Sequence, residues 1–200
     1  WSQEAVLRFA RLEFIRGEWR KYLQTLETLG EGPGGGDPEA TLFNVAAVNI
    51  EENGRRTPIN YTLPPGINQE TDVSSANLRN LNEQSLQLQV CNLRDGDARA
   101  AFRNVNFDIR SYKKMQMYVH AESRDPANPI EFGDVSVFIR VGNDFDQNYY
   151  EYEVPAEPTQ FSESDPSKIW PEKNNMIIEF ARLNDVKIQR NSEGAPVNLR

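Results

Sequence analysis

From residue 84 onward the chain alternates apolar and polar positions with a period of two. Leu86, Leu88 and Val90 fall on one side of an extended segment and Gln87, Gln89 and Cys91 on the other, because successive side chains of a strand point to opposite faces. Met115, Met117 and Val119 alternate with Gln116, Tyr118 and His120, and Val135, Val137, Ile139 and Val141 alternate with Ser136, Phe138 and Arg140. Tyr150, Tyr152 and Val154 face away from Glu151 and Glu153. Clusters of Asp, Gly, Asn and Pro separate these runs. The pattern predicts an all-β chain, an antiparallel β-sandwich of jelly-roll or galactose-binding-like type with short helical or turn segments. A further short strand is expected around Met176 to Phe180, followed by a short helix or turn to Arg190.

The sharpest interruption is GEGPGGGDP, Gly30 to Pro38, where glycine and proline leave little to pack and no stable local conformation. It divides the chain into residues 1–29, the closing strand or helix of a preceding module; 30–40, a linker; 41–190, the sandwich; and 191–200, a loose tail. The first segment is ambiguous. Leu12, Ile15, Trp19, Tyr22, Leu23 and Leu26 form a helical face, yet Ala10, Leu12 and Phe14 also alternate with Arg11 and Glu13 as in a strand. Phe-Ala-Arg-Leu occurs at Phe9 to Leu12 and again at Phe180 to Leu183, a match too short to establish repeated modules.

With 200 residues the chain is long enough to bury roughly 70–75% of its unfolded surface without staples. Its single cysteine, Cys91, excludes an intramolecular disulfide. A net charge of −8 without a basic cluster argues against nucleic-acid binding. No run approaches the ~20 apolar residues of a spanning helix, so this segment is expected not to span a membrane. The start at Trp1 lacks the organisation of a signal peptide, which predicts a piece of a longer chain.

Candidate chemistry is sparse. Asp144, Asp146 and Asn148 alternate as calcium ligands do, but Tyr149 stands where an EF-hand loop needs glycine and Pro155 where it needs glutamate. A polar hairpin turn is the better reading. Asp95, Gly96 and Asp97 form an acidic tight turn. His120 is the only histidine, with no second one to build a triad or metal cluster, and its strand position favours an ordinary hydrogen-bonded surface residue. Cys91 lacks a neighbouring base and is expected to pack as a strand thiol. Tyr149, Tyr150, Tyr152 and Trp170 suggest stacking platforms for sugar rings, although Tyr150 and Tyr152 share a face with Val154 and fit a core better. Tyr149 and Trp170 remain as possible ligand contacts. No catalytic, cofactor-binding or metal-ligating residue is assigned.

The most distinctive stretch is AVNIEENGRRTPINYTLPPGI, Ala47 to Ile67. Gly54, Arg55, Arg56, Thr57 and Pro58 lack the glycine-rich spacing of a phosphate cradle. A structural loop fits better: Asn53 and Gly54 turn the chain, the arginines pin it through carboxylates or carbonyls, and Pro64, Pro65 and Gly66 fix its exit. This stretch, with LNEQSLQLQVCNLRDGDARAAFRN (Leu81 to Asn104), FDIRSYKKMQMYVHAES (Phe107 to Ser123), FIRVGNDFDQNYYEYEVP (Phe138 to Pro155) and IWPEKNN (Ile169 to Asn175), resembles the SprA (Sov) family over nearly the whole chain. The resemblance implies an outer-membrane translocon protein of type IX secretion and gliding motility. This chain would be a non-catalytic extramembrane segment without cofactor. Its expected partners are neighbouring domains of the same large chain, secretion-system proteins and cargo. A free-standing carbohydrate-binding β-sandwich module is the alternative.

Overall fold

In the computed structural model, residues 19–27, 41–72, 79–106, 108–145 and 148–194 are described. The Gly30 to Pro38 linker, Asp146 and most of the two terminal segments lie outside them. The chain is predominantly β, and its described strands associate in pairs. Contacts divide it into two units, one containing residues 1–45 and 88–105, the other 46–87 and 106–200. Leu42–Asn49 pairs with Gln84–Cys91.

In the first unit Arg20–Lys21 pairs antiparallel with Ala101–Phe102, and Leu26–Glu27 with Asp97–Ala98. Leu26 and Phe43 are its buried apolar residues among those described. The acidic turn forms as its Asp-Gly pair predicts: the Asp97 N–H donates to Arg94 O at 3.1 Å, with Gly96 at φ +73°. Asp97 is not left for a cation. Its carboxylate accepts from Arg99 Nη1 at 2.6 Å and from the Ala98 N–H at 2.8 Å.

The second unit contains the longest hairpin, Ser136–Gly142 against Tyr149–Pro155. Its register sets Val137 opposite Val154, Ile139 opposite Tyr152 and Val141 opposite Tyr150, so the expected apolar alternation becomes one cross-strand ladder. Arg140 faces Glu151 on the other side. Gly142 is fixed by close approach, since a Cβ there would lie 2.2 Å from Asn148 O. Lys114–Met117 pairs with Met176–Glu179, placing Met115 opposite Ile178 and Met117 opposite Met176. The strand expected to continue through Val119 ends at Met117, and Ala121–Glu122 then pairs in parallel with Pro158–Thr159. Ile59, Tyr61, Ala156, Ile169, Met176 and Ile178 are buried here.

A helix over Phe180–Glu193 follows the last strand and includes three residues assigned to the tail on sequence. It ends at Gly194, whose φ of +61° supplies the left-handed turn that favours glycine.

The Gln84–Cys91 strand alternates as expected, yet its apolar side faces outward. Leu86, Leu88 and Val90 are exposed while Ser85, Gln87 and Gln89 are half-buried. One cause is visible at Ser85, whose hydroxyl lies 2.7 Å from the buried Tyr61 hydroxyl. Among the described residues nine hydrophobic side chains are buried, whereas seventeen large ones are exposed.

Candidate functional site

The loop from Asn53 to Gly66 is built from a cap outward. Asn49 ends its strand in an extended conformation and caps the one-turn helix Ile50–Asn53. Its Oδ1 accepts from the Glu52 N–H at 2.8 Å, and its Nδ2 donates to Glu52 Oε2 at 3.0 Å. Asn53 then gathers the loop. Its Oδ1 accepts from the Asn49 N–H at 3.0 Å, and its carbonyl accepts from the N–H groups of Arg56 and Tyr61, each at 3.1 Å.

Gly54 has an ordinary φ of −64°, so the Asn53-Gly54 pair is not the positive-φ hairpin turn its sequence suggests. Glycine is required for another reason: a Cβ would lie 2.5 Å from Ile50 O. The Thr57–Pro58 peptide is cis. Beyond it Ile59, 1% exposed, and Tyr61, 7% exposed, anchor the loop in its unit. At the exit the Ile67 N–H donates to Pro64 O at 3.1 Å and Gly66 has φ +81°, as in a type II turn with Pro65 and Gly66 at its centre.

Of the two adjacent arginines, Arg55 is exposed and Arg56 carries the long-range contact. Arg56 Nη1 donates to Glu122 Oε1 at 2.6 Å, while His120 Nε2 faces Glu122 Oε2 at 3.1 Å. His120 Nδ1 lies 2.8 Å from Ile169 O and 3.1 Å from the Thr159 hydroxyl. A carbonyl only accepts, so Nδ1 donates to Ile169. Trp170 closes the circuit, with Nε1 donating to Thr62 O at 3.0 Å and its ring edge-on to His120 at 5.8 Å. The helix Pro166–Ile169 presents this corner, started by Asp165, whose Oδ1 accepts from the Ser167 N–H, and by Pro166 in its first turn. Asn174 braces the same segment. It is fully buried, accepts from the Glu157 N–H at 2.7 Å and donates to Glu157 O at 2.8 Å.

Hydroxyl, imidazole and carboxylate thus occur in the order of a nucleophile relay, with different commitments. Thr159 is 7% exposed and also lies 3.4 Å from the carbonyls of Lys168 and Ile169. His120 is engaged at both nitrogens, and Glu122 is shared with Arg56. These groups tie chain segments together.

Burial pushes the Glu122 carboxyl up, but hydrogen bonds from His120 and Arg56 and the charge of Arg56 outweigh it and hold the group below its ordinary 4.5. A depressed carboxylate contributes stability that is present above its unfolded value and lost as pH falls through its folded value. The carboxyls of Asp125, Glu163 and Asp165 are lowered too, by local hydrogen bonds, so acid unfolding alone does not isolate Glu122. The stability difference between the chain and Glu122→Gln should be constant near neutrality and shrink below pH 4.5. Denaturant unfolding at stepped pH measures it, and a difference independent of pH would dissociate Glu122 from the effect.

The remaining sequence candidates are placed differently. Arg140 covers the Tyr149 ring at 4.3 Å, and the half-buried Trp170 is used by His120 and Thr62. Both side chains thus have partners within the chain. Asp144 accepts from the Asn148 N–H at 2.8 Å and from Asn148 Nδ2 at 2.5 Å, closing the hairpin. Thermal unfolding with calcium and with chelator should therefore nearly coincide. A calcium-dependent rise removed by Asp144→Ala would restore a metal site there. Cys91 is exposed rather than packed.

Glu122, Thr159 and Asn174 were not singled out on sequence. Only His120 and Glu122 had a visible signal, two positions apart, which places them on one side of an extended segment. Comparison with curated proteins gives no match. The SprA_N family, described as motility related/secretion protein, matches residues 1–200, and the chain belongs to that family.

Proposed function

We propose that this chain is a non-catalytic extramembrane segment of the outer-membrane translocon of type IX secretion and gliding motility, acting as a brace and as a contact surface for partners. The observation that carries the proposal is the Asn53 to Gly66 loop, capped locally by Asn49 and tied by hydrogen bonds to Ser85, Glu122 and Trp170 of separate segments. A loop tied in this way transmits load without needing chemistry of its own.

Membership of a motility and secretion family supports the envelope location. No helix among the described residues is long and apolar enough to cross a membrane. The excess of exposed over buried large apolar side chains supports covering by neighbouring domains of the same chain, by secretion-system proteins or by cargo. In this reading the paired strands belong to an antiparallel β-sandwich of jelly-roll type. The polar ring of His120, Glu122 and Thr159 is bracing, not an active site. Replacing the loop in the intact secretion protein and following cargo across the envelope tests the role directly.

A further inference from the structure

We propose that the surface of the first unit around Arg20 docks an acidic peptide segment in extended conformation. The chain has a net charge of −8, and three of its described cations are matched to part-buried carboxylates, Arg56 to Glu122, Arg99 to Asp97 and Arg140 to Glu151. Arg20 and Lys21 are different. They are adjacent, exposed and set against aromatic rings, Arg20 at 5.4 Å from the Phe102 centroid and Lys21 at 5.6 Å from that of Phe43.

Lys21 Nζ also donates to Phe43 O at 2.5 Å, which fixes its head. Arg20 has no side-chain hydrogen bond among the described residues. A guanidinium stacked on a ring presents its N–H edge in a fixed direction and forms a forked pair with a carboxylate at small entropic cost. Tyr22 packs edge-on against the same Phe102 ring at 6.5 Å and holds the platform in place.

The backbone favours an extended ligand. Among the described residues Arg20–Lys21 pairs only with Ala101–Phe102, and the proposal places the ligand's main chain along its other edge. Trp19, 40% exposed with the Arg103 guanidinium 5.2 Å from its ring centroid, and Leu23, 87% exposed, flank the two cations with apolar surface. A segment alternating acidic and apolar residues matches that layout: main-chain bonds to the edge, carboxylates toward Arg20, and apolar side chains toward Trp19 and Leu23.

A short fluorescein-labelled peptide of alternating glutamate and valine, titrated with the complete 200-residue chain, tests the proposal by anisotropy. Saturable binding is expected, weakening as salt rises from about 0.05 to about 0.5 M. Arg20→Glu should lower affinity by about tenfold or more, and Arg20→Lys, which keeps the charge without the fork, by less. Both variants alter an exposed side chain, and unchanged far-ultraviolet circular dichroism verifies the fold. Absence of peptide binding, or equal binding by Arg20→Glu, overturns the proposal. So does binding to vesicles containing an anionic phospholipid in preference to the peptide, which would assign the surface to a membrane.

Discussion

Glu122→Ala should destabilise the chain by about 3 kcal/mol, the lower part of the range for removing one partner of a buried ion pair. The position justifies that scale. The Arg56 and Glu122 side chains are 19% and 11% exposed, and His120 is 13% exposed on the far side of the carboxylate. Removing the carboxylate strands a guanidinium and an imidazole away from full solvent, whereas an exposed pair is worth ~0–1 kcal/mol. Glu122→Gln, which keeps the shape and one acceptor, should cost less. A double-mutant cycle with Arg56→Ala should give a coupling of about 1 kcal/mol or more. Amides from Ile59 to Leu63 should exchange faster in Glu122→Ala. A loss within about 0.5 kcal/mol would class the pair with ordinary surface contacts, and a loss with unchanged loop exchange would show that Glu122 does not hold the loop.

The Arg56 contact explains why this cluster was not legible in sequence while the hairpin was. In Ser136–Gly142 and Tyr149–Pro155 the period of two appears in both strands, and the connection is short enough to pair them. Alternation then fixes the faces. Arg56 and Glu122 are 66 positions apart, and their meeting depends on the parallel pairing of Ala121–Glu122 with Pro158–Thr159 and on the loop anchored by Tyr61. No local pattern encodes it. Of the two carboxylates nearest in sequence, Glu51 and Glu52, the second serves Asn49 in the helix cap.

Local chemistry was decisive at the loop entrance in a way the Asn-Gly pair concealed. Asn53-Gly54 is a strong positive-φ turn signal in isolation. Asn49, three residues before Glu52, is a competing helix-start signal, and in the structure it prevails. The exit behaves as its residues require, since Pro65 favours the first central position of a type II turn and Gly66 tolerates the second. For Gln84–Cys91 the sequence shows two faces without saying which is covered. That choice depends on neighbours such as Tyr61 and, in the proposed function, on surfaces supplied by the parent protein.

Replacing Gly54 to Pro65 by a flexible linker of equal length in the intact secretion protein should trap cargo inside the envelope, the largest effect expected from this chain. The exchange removes Ile59 and Tyr61 from the core and Arg56 from Glu122, along with the Thr62 carbonyl that receives Trp170. Membrane fractionation first verifies that the protein persists, and cargo is then measured at the cell surface and in the periplasm. Accumulation inside is expected. Restoring the loop residues with Arg56→Lys should recover most export, because a charged donor still reaches for Glu122 while the apolar anchors return. His120→Gln and Cys91→Ser should leave export largely intact, since a brace tolerates partial loss of its hydrogen bonds and Cys91 is an exposed thiol. Normal export after loop replacement would remove the bracing role. Loss of export in His120→Gln with the fold preserved would instead reveal that the Thr159, His120 and Glu122 ring performs chemistry, because a purely structural ring is spared by a side chain of similar size that still forms hydrogen bonds.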